Sequence, residues 1–78
     1  MNLTMQSVRV DTGSPDEDGC LVFSDGKLVA VLVRLSEQQG RYAGLWYVEK
    51  GFGRLDGPKH PTFPDMAAAQ SWVQRTLS

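Results

Sequence analysis

Hydrophobic and polar positions follow two different periods along the chain. Up to about residue 50, short runs rich in β-branched and aromatic residues are separated by Gly, Pro and acidic residues, which is typical of strands and turns. These runs predict strands at residues 2–10, 20–24, 27–35 and 45–50. After residue 64, apolar positions recur every three or four residues, as they do along one side of a helix. We therefore expect a set of strands followed by one C-terminal helix.

The clearest local signal is Asp25-Gly26, which lies between two of these runs. A two-residue turn of type I′ needs positive φ at both central positions, and Asp-Gly adopts this conformation at low cost. The following run, KLVAVLVRL at 27–35, is long and rich in Val, which favours a strand near the middle of a sheet. The sequence thus predicts a tight hairpin with a central second strand.

Residues 65–78, DMAAAQSWVQRTLS, predict the helix. Asp65 can cap the free N–H groups of the first turn, and the three alanines that follow have the highest helix propensity. Phe63 lies just before the cap, where an apolar side chain can pack against the start of the helix. The apolar stripe consists of Ala69, Trp72, Val73, Thr76 and Leu77. This stripe should pack on the sheet.

The other segments predict turns and loops. Residues 12–19 contain Gly, Pro and the acidic cluster Asp16-Glu17-Asp18, and we expect a solvated loop there. Residues 37–44 predict a turn, and 51–64, with several Gly and Pro, predict a long, stiffened loop. Together these elements predict a single α+β domain over residues 1–78. It is a small antiparallel β-meander of three to four strands with one C-terminal α-helix packed on one face.

The predicted strands are apolar on both faces, so a second cover is needed. In the run at 27–35 one face would carry Val29, Val31, Val33 and Leu35, and the other Leu28, Ala30 and Leu32. An antiparallel sheet with one wet face normally alternates apolar and polar residues. One helix of roughly 18 Å covers a single face. The second face would be covered by the N-terminal arm and the 51–64 loop, by a second copy of the chain, or by a different protein.

We expect this second face to be an interface, in a homodimer or with a protein partner, because extended apolar patches on small proteins mark contact surfaces. The predicted interface residues are Leu28, Ala30, Leu32, Leu45 and Tyr47. The predicted contacts from the 51–64 loop are Phe52, Arg54 and His60. The leading hypothesis is a small cytoplasmic, non-enzymatic interaction module.

The alternative hypothesis is a domain that binds single-stranded nucleic acid. Such domains stack bases on aromatic rings beside cations. The candidate residues are Trp46, Tyr47 and Phe52, with Arg54 and Lys59. Eight basic and nine acidic residues give a net charge of −1, which argues against strong affinity for nucleic acid or anionic lipid.

Little else in the chain suggests reactive chemistry. Cys20 and His60 are the only Cys and His, too few for a zinc site, and a lone thiol forms no internal disulfide, so a reducing cytoplasm is expected. GFGRLDG at 51–57 has neither the spacing nor the following helix of a dinucleotide site. The sequence has no apolar run of the length that crosses a membrane. We therefore predict no catalytic residue, metal or cofactor.

Overall fold

The chain folds into a five-stranded antiparallel meander with one C-terminal helix, in a computed structural model that describes residues 2–57 and 60–78. The elements are β1 (Leu3–Arg9), β2 (Asp18–Ser24), β3 (Lys27–Arg34), β4 (Trp46–Gly51), β5 (Thr62–Phe63) and α1 (Met66–Leu77). Short 3₁₀ segments lie at Glu37–Tyr42 and Gly53–Leu55. The strands are ordered β1-β2-β3-β4-β5, so β3 is central. The predicted α+β meander with a C-terminal helix is confirmed.

The sheet has one strand more than predicted, because the loop at 51–64 is not wholly irregular. Thr62 and Phe63 pair antiparallel with Tyr47 and Trp46 of β4. The pairing is only two residues long, between Pro61 and Pro64. Proline has no N–H to donate to a ladder, so this edge strand remains short.

The predicted hairpin turn is present between β2 and β3. Asp25 and Gly26 have φ of 51° and 83°, the positive values that a type I′ turn needs. Asp25 also holds the start of β1: its N–H donates to the Asn2 carbonyl at 2.9 Å, and its Oδ1 accepts from the Asn2 N–H at 3.0 Å. The Asp25-Gly26 turn therefore connects β2 to β3 and also fixes the start of β1.

The helix forms as its sequence predicts. Asp65 Oδ1 accepts a hydrogen bond from the Ala68 N–H at 2.8 Å, which satisfies one free donor of the first turn. Ala69 and Val73 are fully buried against the sheet. Phe63 packs on Trp72, with ring centroids 5.4 Å apart, and so fixes the entry of the chain into the helix.

The helix covers the face of β3 that carries Ala30 and Leu32, and this corrects the sequence-based assignment of faces. Both side chains are fully buried in the core with Val22, Val48 and the helix. Since both faces of β3 are apolar, the alternation of side chains does not reveal which one the helix selects. Ala30 and Leu32 are therefore core residues, and their assignment to an exposed interface is wrong.

Two β-bulges change the strand register around β3. Val22 pairs with Ala30 and Phe23 with Leu28, which leaves Val29 as the extra residue. Val29 consequently packs against the helix-side core instead of facing the opposite side. A second shift occurs beside Val31 and Leu32, opposite β4. Side-chain alternation alone fails at such positions.

After β4 the chain turns sharply back toward the helix. Leu55 enters the core, and its backbone passes directly against Gly51. A Cβ at residue 51 would overlap the carbonyl group of Leu55. Gly51 therefore has a packing role, because only a residue without a side chain allows this close approach.

We expect Gly51→Ala to lower the free energy of unfolding by at least about 2 kcal/mol, since the added methyl group displaces the Leu55 backbone from the core. Urea denaturation followed by Trp fluorescence measures the change. Gly57→Ala is the control, because a Cβ there meets no atom within 4 Å. Equal stabilities of the two variants would contradict the role given to Gly51.

Candidate interaction surface

The face of the sheet opposite the helix carries a group of apolar side chains that we call the open face: Leu21, Phe23, Leu28 and Val31. The strand register makes them neighbours, since Leu21 pairs with Val31 and Phe23 with Leu28. Leu28 is 37% exposed and the other three are half-buried. The helix lies on the other side of the sheet, so their cover comes from neighbouring strands.

The end of this sheet face nearest residue 33 is covered. Val33 is only 1% exposed and lies between Gly19 and Tyr47 in the register. A Cβ at Gly19 would lie 2.5 Å from Val10 Cγ2, so Val10 packs directly over this position. The chain that leaves β1 thus closes one end of the face.

Tyr47 has its own cover. The His60 ring stacks on it, with centroids 5.7 Å apart and an angle of 24° between the planes. His60 Nδ1–H donates to the Val48 carbonyl at 2.7 Å, which fixes the ring in place. His60 therefore packs against the sheet and shields Tyr47, and the part of the 51–64 loop that follows residue 59 contributes to the cover.

The structure distributes the five predicted interface residues over four environments. Leu28 lies on the open face, whereas Tyr47 shares this side of the sheet but lies under His60. Leu45 precedes β4 and is half-buried, and its carbonyl accepts from the Leu35 N–H at 2.8 Å. Ala30 and Leu32 are in the core. Of the five, Leu28 alone belongs to the exposed apolar group.

Sequence reasoning missed Leu21, Phe23 and Val31. Phe23 had a usable signal, because a two-residue turn at Asp25-Gly26 places residue 23 opposite residue 28. The pairing of Leu21 with Val31 had no such signal, since it depends on the bulge at Val29. The residues around Val29 contain no sequence signal that predicts a bulge of this kind.

The loop residues Phe52 and Arg54 lie elsewhere, next to the C-terminal end of the helix. Phe52 is 40% exposed, with Lys50 Nζ 5.6 Å from the centre of its ring. Arg54 Nη1 donates to the Leu77 carbonyl at 3.0 Å, which satisfies an acceptor of the last helical turn. The predicted loop contacts thus do not form one surface with the open face.

The residues of the nucleic-acid hypothesis are not brought together either. Trp46 packs against the helix-side core, and Tyr47, the next residue, points to the opposite face. Arg54 is bound to the end of the helix. Lys59 lies outside the described residues. No continuous platform of rings and cations forms among the residues that the structure describes.

Asp16 is a buried polar anchor at the end of the sheet farthest from the hairpin turn, and its burial corrects the expectation of a solvated acidic loop. The side chain is only 7% exposed. Its Oδ1 accepts from the Ser36 N–H at 2.6 Å, and its Oδ2 accepts from Gln39 Nε2 at 2.7 Å. These bonds tie the loop after β1 to the segment after β3.

The same contacts favour the ionised form of Asp16. Its pKa is lowered from the usual 3.8, first by the nearby Ser36 hydroxyl and then by the Ser36 backbone N–H, while burial acts in the opposite direction. The Ser36 hydroxyl oxygen is buried and makes no hydrogen bond of full geometry with the described residues. The Ser36 hydroxyl therefore lowers the pKa of Asp16 as a nearby dipole.

Groups that could react are not assembled into a site. Cys20 is buried on the helix side, and burial raises the pKa of its thiol, which disfavours the nucleophilic thiolate. Among residues 2–57 and 60–78, no three His, Cys, Asp or Glu side chains are grouped so that they could hold a metal ion. No described helix combines the length and apolar character needed to cross a membrane. The open face is therefore the feature that we consider for function.

No protein-family model matches the chain, and no curated protein or solved structure is significantly similar to it.

We expect Asp16→Asn to reduce stability at neutral pH, because the amide has one accepting oxygen and an NH2 donor where the carboxylate accepts through both Oδ1 and Oδ2. The pKa of Asp16 is lower in the folded chain than 3.8, so its contribution is complete above that pH and is lost as the pH falls through the folded-state pKa. The stability difference between wild type and variant should therefore narrow below pH 3.8.

Urea denaturation at a series of pH values measures this difference. Asp18→Asn is the control, since Asp18 is an exposed carboxylate in the same acidic cluster. If the free energies of unfolding of wild type and Asp16→Asn differ by the same amount at every pH, the stabilising role of the ionised Asp16 side chain is contradicted.

Proposed function

We propose that the protein is a small, non-enzymatic interaction module that binds another protein surface, a second copy or a different partner, through its open face. The observation that carries the proposal is the cluster of Leu21, Phe23, Leu28 and Val31, with Leu28 37% exposed and no second layer above it among the described elements. Exposed apolar clusters of this kind are typical of contact surfaces.

The surroundings of the open face support this proposal. Gln6 pairs with Leu21, and Thr4 pairs with Phe23. The apolar centre is thus bordered by polar side chains along β1. Protein interfaces commonly have an apolar centre within a polar rim, and the rim supplies hydrogen bonds and selectivity.

The polar ties described above also support a preformed surface. Asp16 holds the loop after β1, and His60 holds the chain before β5 against Tyr47. The boundary of the open face is therefore fixed before any partner binds. A preformed surface loses less conformational freedom on association than a mobile one.

The expected location of such a module is a reducing compartment such as the cytoplasm. The support is Cys20, a lone buried thiol that packs as a small apolar side chain. The module needs no disulfide, because its described core is built from aliphatic side chains and a capped helix.

We expect Leu28→Asp to weaken association through the open face by about tenfold or more, because a charge would have to be desolvated at its centre. Wild type and variant are compared by light scattering behind a sizing column and by binding of the dye 1-anilinonaphthalene-8-sulfonate. The dye binds to the wild type when the open face is exposed to solvent. When a second copy covers this face, the measured mass is that of a dimer. Leu28→Asp should reduce the dye binding when the face is open and should reduce the mass when a second copy covers this face, whereas a dimer formed elsewhere on the chain would keep its mass.

The matched control is Tyr42→Asp, which places the same charge on an exposed aromatic side chain in the 3₁₀ segment after β3, at the end of the sheet farthest from the hairpin turn. Both variants should retain cooperative thermal unfolding. The proposal fails when Leu28→Asp leaves both the mass and the dye binding at their wild-type values, or when Tyr42→Asp reduces them equally.

A further inference from the structure

The two edges of the sheet differ in how they are protected. β5, at one edge, is two residues long and lies between Pro61 and Pro64. β1, at the other edge, is seven residues long, pairs with β2 alone among the described strands, and contains neither proline nor a bulge. Natural sheets normally blunt an exposed edge, because its unpaired N–H and C=O groups offer hydrogen bonds to another strand. β1 lacks such protection.

The hydrogen bonds at both ends of β1 show which of its backbone groups are free. The Asn2 carbonyl accepts from Asp25, and the Val10 N–H donates to Glu17, so even-numbered residues bond inward to the hairpin. In an antiparallel pair every second residue bonds to the neighbour and the alternate residues point away. Leu3, Met5, Ser7 and Arg9 therefore direct their N–H and C=O groups outward.

We propose that a second copy of the chain binds at this edge, with the two β1 strands paired antiparallel about Gln6. Outward-facing residues must pair with outward-facing residues. Only the register centred on Gln6 uses all four, with Leu3 opposite the partner's Arg9 and Met5 opposite the partner's Ser7. Such a pairing forms about eight backbone hydrogen bonds. Registers centred on Met5 or Ser7 leave one end of each strand unpaired.

The charges of β1 favour a second copy as the occupant. Arg9 is the only charged residue in the strand, and it forms an ion pair with Glu17 of its own chain. In the register centred on Gln6 the two arginines lie six residues apart along the strands, roughly 20 Å. That separation exceeds the Debye length of about 8 Å at physiological ionic strength. Self-pairing therefore introduces no close repulsion.

The side chains along the junction are also compatible with self-pairing. On the helix side, half-buried Leu3 and Met5 would gain neighbours from the added strand. On the opposite side, Thr4 would lie across from the partner's Val8, and β-branched pairs of this kind stabilise sheets. The resulting ten-stranded sheet has both helices on one side and both open faces on the other. This inference rests on the backbone of β1 and does not depend on the proposed function.

The first test is solution mass and amide hydrogen exchange on the full chain as a function of concentration. We expect a mass near twice 8.6 kDa at tens of micromolar. The amides of Leu3, Met5, Ser7 and Arg9 should exchange about tenfold or more slowly in the dimer than in dilute monomer. A dimer formed through the open faces would leave these four amides unprotected.

The second test is Ser7→Pro, which removes one outward N–H without touching the bonds between β1 and β2. Proline is tolerated on an edge strand where the N–H faces solvent. The variant should be monomeric with an unchanged circular dichroism spectrum. Ser7→Thr is the matched control, because it retains the N–H and should remain dimeric.

Three results would overturn the inference: a mass of 8.6 kDa at hundreds of micromolar, a dimer whose four outward amides remain unprotected, or a folded Ser7→Pro variant that still dimerises. The first and third results would show that two copies of the chain do not pair through β1. The second leaves the open face as the dimer contact, which Leu28→Asp then tests separately. The two proposals can thus fail independently.

Discussion

The packing of the helix on one face of β3 determines the rest of the structure. Ala30 and Ala69 are both small and fully buried, so backbone of sheet and helix can approach closely around Leu32 and Val73. The extra residue at Val29 adds a further side chain to the same side. The single helix is about 18 Å long, so it covers only one face of the sheet. The choice of this face leaves the opposite one dependent on loops.

Polar contacts set the size of what remains exposed. Asp16 anchors the loop after β1 through Ser36 and Gln39, and His60 covers Tyr47 while it donates to the Val48 carbonyl. The loop that Asp16 anchors begins at Val10, which packs over Gly19, and the His60 ring lies on Tyr47. The apolar group that stays accessible is therefore smaller than the strand composition suggests. It is confined to the half of β2 and β3 nearest the hairpin turn.

Features governed by neighbouring residues could be predicted from the sequence, whereas features governed by distant contacts could not. The Asp25-Gly26 turn and the Asp65 cap follow from the conformations and hydrogen bonds of single residues. The side of β3 chosen by the helix does not, since both sides are apolar. The bulge at Val29 and the burial of Asp16 depend on partners far along the chain. Of the five predicted interface residues, only Leu28 accordingly lies in the exposed apolar group, and its role in an interface stays a prediction.

The shortness of β5 has a consequence for how large an assembly of this fold can become. A sheet with two open edges can add copies at both ends and grow without limit, as fibrils do. Here the edge at β5 is closed by its two-residue length and by Pro61 and Pro64. Once the edge at β1 is occupied, the described sheet has no comparable edge left. Growth by strand pairing would therefore end at two chains, because Pro61 and Pro64 leave no second edge of similar length.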